Sequence, residues 1–127
     1  MVNIDYIMNL LDWKNSMAKQ NQGIRLAQGV KCINVFLQPN IPYGKRVWEN
    51  CAKVLSQKTN EELSPYLIEM MEWLQDMNWP GASCIYEKIK LMTDDPLFSY
   101  SYETCLKCAK ALEDESWENN LKAIFVQ

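Results

Sequence analysis

The only CxxC in this sequence is Cys105-Leu106-Lys107-Cys108, two thiols at i and i+3. A thioredoxin-like redox pair needs that spacing at a helix N-terminus, where the dipole lowers the thiol pKa. The apolar register Tyr102, Cys105, Ala109, Leu112 places it inside a helix instead. A thiolate zinc site needs two further ligands, and Cys32, Cys51 and Cys84 offer no second close pair. The five cysteines therefore read as small core fillers in a reducing compartment, with no metal and no cofactor expected.

Glu69 with Glu72, and Glu72 with Asp76, share a helix face at spacings that suit acid–base work or a bound cation. The same spacings are common on solvated helices, and no neighbouring residue identifies a substrate. The chain contains no histidine, which excludes Ser-His-Asp and Cys-His nucleophiles, imidazole acids and bases, and His-ligated metal. Gly23, Gly29, Gly44 and Gly81 form neither of the glycine-rich phosphate loops. The expectation is a protein that is not an enzyme. A net charge of -3 argues against a nucleic-acid binder, which needs a basic face.

The elements that must position these residues are helices. Leu26, Val30, Ile33, Leu37 and Leu63, Leu67, Met70, Leu74 each run i, i+4, i+7, i+11, the stripe of an amphipathic helix. Ala82, Ile85, Ile89, Met92 and Tyr102, Cys105, Ala109, Leu112 share a related spacing. Val47, Cys51, Val54 and Trp117, Leu121, Ile124 mark two shorter helices. Breakers fall between them at Pro39-Asn40-Ile41-Pro42-Tyr43-Gly44, Asn78-Trp79-Pro80-Gly81 and Thr93-Asp94-Asp95-Pro96. At Pro65 a helix capped by Thr59, with Glu62 completing a capping box, would lose an internal hydrogen bond. The better reading there is a lead-in turn, Ser64 as N-cap and Pro65 at the first helical position.

Leu-x-Asp-x-x-Trp occurs twice, at Leu74-Asp76-Trp79 and Leu112-Asp114-Trp117, and Asn40 falls one further step of the same offset before Asn78. In each copy a helix ends near the Asp, which binds backbone groups at the turn. Asn78 or Ser116 caps the next helix, and the Trp fills the corner between them. Stacked helix pairs of this period make an α-solenoid of the HEAT-like kind, because one pair cannot bury its apolar face alone. The fold expected is a single all-α domain over residues 1–127, with an N-terminal helical cap at 3–12 and helix pairs at about 23–56, 61–92 and 99–126. The N-terminus lacks a signal peptide's basic region, and no stretch approaches the ~20 apolar residues of a membrane span. A cytoplasmic location is expected.

The stretch Trp73-Leu74-Gln75-Asp76-Met77-Asn78-Trp79-Pro80-Gly81-Ala82 resembles a family of small uncharacterised bacterial domains marked by a Trp-Leu-Gln-Asp-(Met/Leu)-Asn-Trp-Pro signature. The likeness continues through Gly23-Ile24, Asn50 to Ser56 and Pro65-Tyr66-Leu67. The resemblance implies a HEAT-like fold and an association with the immunity proteins of polymorphic toxin systems, hence a partner that is a cognate protein toxin, neutralised by direct binding. The alternative is a general adaptor or scaffold that takes a peptide or helix. A partner surface for a basic effector would use Glu113, Asp114, Glu115 and Glu118, continued by Glu72 and Asp76 one repeat earlier. No membrane and no nucleic acid are expected as partners. The oligomeric state is open, a monomer being favoured.

Overall fold

The computed structural model describes residues 3–126, so residues 1, 2 and 127 of the expected 1–127 span lie outside it. Among the described residues all regular structure is helical, and no strand occurs. Helix α1 (Ile4–Leu10) begins at Asn3, whose side-chain oxygen accepts the Tyr6 N–H at 3.0 Å, and it buries Ile7, Met8 and Leu10. The helix lies within residues 3–12, where a cap is expected. Helix α2 (Met17–Ala27) starts at Ser16, which caps the Lys19 N–H. At Gly23 the two helices approach so closely that a Cβ would lie 2.8 Å from the Leu10 Cβ.

The stripe Leu26, Val30, Ile33, Leu37 is not one helix. Helix α2 ends at Ala27, and a separate 3₁₀ turn covers Ile33–Phe36. The break has a physical cause in Lys58, which is 6% exposed and donates its ammonium to the Gln28 carbonyl at 3.0 Å and the Val30 carbonyl at 3.4 Å. A cation there satisfies carbonyls that a longer helix would have used itself. Val30, Ile33 and Phe36 still reach the core, but from a turn. The helix in this region therefore covers residues 17–27 and not 26–37.

Helix α3 (Trp48–Ser56) buries Cys51, Ala52, Val54 and Leu55. Helix α4 (Asn60–Leu63) does start from the Thr59 capping box: Thr59 Oγ1 accepts the Glu62 N–H at 3.1 Å, and Glu62 Oε1 accepts the Thr59 N–H at 3.1 Å. Ser64 is not an N-cap. Its hydroxyl donates to Asp95 Oδ1 at 2.6 Å, and the chain passes Pro65 in a 3₁₀ turn (Ser64–Tyr66) before α5 (Leu67–Glu72). The tighter turn carries the chain past the proline without an α-helical bond to its nitrogen.

Helix α5 closes through a 3₁₀ turn (Trp73–Gln75), followed by α6 (Ala82–Lys90), α7 (Phe98–Ala111), α8 (Glu115–Lys122) and a last 3₁₀ turn (Ala123–Phe125). Neither Asn78 nor Ser116 caps a helix. Asp114 caps α8 by accepting the Trp117 N–H at 3.0 Å, and Gly81, at φ 84°, precedes α6 without a side-chain cap. A carboxylate at the positive end of α8 is the stronger acceptor. Helix α2 packs on α3, α5 on α6 and α7 on α8, while α3 meets α6 and α5 meets α7. One core cluster runs through these contacts from Ile7 to Ile124.

Candidate functional site

Two turns build the site. In the first, Trp73 Nε1 donates to the Pro80 carbonyl at 3.0 Å and closes residues 73–80 into a corner. The corner locks onto α3, where Trp48 meets Trp73 edge-on at 6.1 Å and Trp79 at 5.7 Å. Gly81 is required there, because a Cβ would come within 2.7 Å of the Ala52 Cβ and 2.8 Å of the Trp48 carbonyl oxygen. Its N–H donates to Glu49 Oε1 at 3.0 Å. Asp76 Oδ1 accepts the Asn78 N–H at 2.8 Å, the turn role expected of it.

In the second turn Glu113 takes a left-handed conformation, φ 56°, and Asp114 opens α8. Trp117 is 2% exposed and its Nε1 donates to the Met71 carbonyl at 3.0 Å. Asn120 Nδ2 donates to the Leu74 carbonyl at 2.8 Å. These two bonds lash α8 to the end of the α5 segment and set the turns side by side. Between them lies a cleft of about 490 Å³ lined by Gln75, Asp76, Met77, Asn78, Asp114, Ser116 and Asn120. No lysine or arginine is among the lining residues.

The repeat is only partly matched in three dimensions. Helix α8 begins directly after Asp114, whereas Pro80 and Gly81 delay the start of α6 until Ala82. Trp117 consequently sits inside its helix and fills the corner, while Trp79 stays in the turn and is half-buried.

Of the six residues assigned to a partner surface, the structure brings Asp76 and Asp114 into the cleft. Glu72, Glu113, Glu115 and Glu118 are not among its lining residues. Glu72 lies half-buried on α5, where desolvation, aided by the nearby Glu69 charge, raises its carboxyl pKa. Glu113 and Glu115 are exposed. Glu118 turns to Lys122 at 2.7 Å, and that hydrogen bond, with the ammonium charge behind it, lowers its pKa. On α3 Glu49 accepts the Gly81 N–H, and on α6 Lys90 pairs with Glu87 at 3.4 Å while lying 4.9 Å over the Tyr86 ring.

The amides of Gln75 and Asn120 belong to the cleft and were not singled out in the sequence. The available signal was Ser116 with Asn120, an i, i+4 polar pair on the face of α8 beside Asp114.

The cysteines divide. Cys51 and Cys105 are buried; Cys32 and Cys108 are exposed and fill no core space, which corrects the uniform core reading. On α7 the buried residues are Phe98, Ser101, Cys105 and Ala109, and Cys108 falls outside that stripe. Burial raises the Cys105 thiol to about 12, and its Sγ lies 3.8 Å from the Ile68 carbonyl oxygen. Burial also raises Cys51 and Cys84. No group of three or more Cys, Asp or Glu among the described residues gathers as a metal site. No helix among them is long and apolar enough to cross a membrane.

No curated protein and no solved structure matches the chain. The family model described as Domain of unknown function (DUF5071) matches residues 41–127, more than half of the chain, and takes in α3 to α8 with both turns of the cleft. The chain belongs to the DUF5071 family.

Proposed function

We infer that the chain is a protein-binding module that carries out no chemistry of its own, and that its helix pairs stack as a HEAT-like solenoid. The contacts of α3 with α6 and of α5 with α7, beside those within each pair, support the stacking. The cleft between the two turns carries the binding reading. Asp76 and Asp114 converge there with Gln75, Asn78, Ser116 and Asn120, and none of the lining side chains is cationic. Such a surface favours a basic segment of a partner, and its field hastens encounter.

The partner class comes from the sequence resemblance: a cognate toxin, met in the cytoplasm and neutralised by occupation of a basic working surface. Glu113 and Glu115, exposed at the rim of the second turn, extend the acidic edge and steer association. The test is to express the product of the adjacent reading frame with and without this chain. Arrested growth that this chain relieves, together with a direct complex, supports immunity. A complex with a harmless neighbour transfers the module to the adaptor class, and neither arrest nor complex removes the toxin reading.

A further inference from the structure

The net charge of -3 conceals a segregation along the chain. Residues 13–48 contain Lys14, Lys19, Arg25, Lys31, Lys45 and Arg46 and no Asp or Glu. Residues 59–87 contain Glu61, Glu62, Glu69, Glu72, Asp76 and Glu87 and no Lys or Arg. The fold brings the first stretch to the start of the second: Gln28 Nε2 donates to Gln57 Oε1 at 2.7 Å, and Lys58, which immediately precedes the acidic stretch, reaches the Gln28 and Val30 carbonyls. The segment just after α2 thus meets the segment that leads into α4. Arg25 and Lys31 are exposed on one side of the junction, Glu61 and Glu62 on the other.

Exposed leucines flank it. Leu26 on α2 is 42% exposed, and Leu91, whose carbonyl accepts from Asn60 Nδ2, is 73% exposed. Leu91 also edges a cleft of about 410 Å³ lined by Ser56, Cys84, Glu87 and Lys88. A basic surface abutting an acidic one is complementary to itself under a two-fold axis through the junction, because each half then faces its opposite.

We propose that this junction is an interface between two copies of the chain, α2 of each lying against α4 and α5 of the other, with Leu26 seated beside the partner copy's cleft. The inference is independent of the cleft between the turns, which lies at the other end of α5.

Sedimentation of the protein at low and at high salt, with charge-swap variants, tests it. The unmodified protein is expected to dimerise, and its dissociation constant to rise at least about tenfold between about 50 and 500 mM salt. Arg25→Glu with Lys31→Glu makes the face wholly acidic, and Glu61→Lys shifts it to basic; each variant alone should be monomeric. Mixed, they should form a heterodimer, which no misfolded pair would do. A monomer at every concentration at low salt, or a dimer indifferent to the reversals, overturns the proposal. A monomer that binds single-stranded DNA through Arg25 and Lys31 also overturns it, and gives the basic surface to nucleic acid.

Discussion

Trp117 and Trp79 occupy the same place in a sequence repeat but different environments, so their replacement by Ala separates packing from pattern. Trp117→Ala empties a buried corner and orphans the Met71 carbonyl, and should cost about 3–5 kcal/mol. Trp79→Ala loses chiefly an edge-on contact with Trp48 from a half-buried site, and should cost about 1–2 kcal/mol. Urea denaturation of the two variants checks the difference, and equal losses would contradict it. The thiols give a second outcome at this scale. Cys32 and Cys108 should react with an aromatic disulfide reagent in the folded protein, and Cys51 and Cys105 only on unfolding. The Cys105 pKa is raised in the folded state from 9.0 to about 12, so its contribution to stability is complete below the lower value and is lost as pH rises toward the upper.

At the level of elements, α5 to α8 were legible because their apolar spacings are long and the breakers between them, Pro80-Gly81 and Pro96, interrupt the helical ladder outright. The end of α2 was not. Val30 and Ile33 keep helical spacing while packing from a turn, and the residue that ends the helix, Lys58, lies 30 places away. Ser64 failed for a similar reason, its hydroxyl being taken by Asp95. The Thr59–Glu62 box shows that a local signal holds when both partners are within one turn. Thr59→Ala should cost about 1 kcal/mol in thermal or chemical denaturation near neutral pH. The Thr59 backbone N–H and then its hydroxyl hold the Glu62 carboxyl below its usual pKa. Its contribution is therefore present above the unfolded carboxylate pKa and lost as pH falls through the folded one, so Glu62→Ala should destabilise at neutral pH and not in strong acid. A constant penalty across that range would exclude the box as its cause.

On the scale of the whole molecule, periodicity indicated that the turns at Asp76 and Asp114 would be neighbours, and the structure sets them on one cleft. The six acidic residues expected on a partner surface do not gather as one group, because sequence distance does not reveal that Glu118 pairs with Lys122 or that Glu72 is half-buried on α5. What the sequence concealed altogether are the bonds from Trp117 and Asn120 to the Met71 and Leu74 carbonyls, which span 46 residues and create the cleft. The charge of that cleft is what a basic partner segment would meet. The double substitution Asp76→Asn with Asp114→Asn isolates it, since Asn accepts the same turn and cap hydrogen bonds and stability should change by less than about 1 kcal/mol. The decisive measurement is the affinity of this variant for the product of the adjacent reading frame, by calorimetry beside the unmodified protein. A folded variant that binds at least about tenfold more weakly, chiefly through slower association, is the expected result. A folded variant with unchanged affinity would contradict the cleft as the binding site.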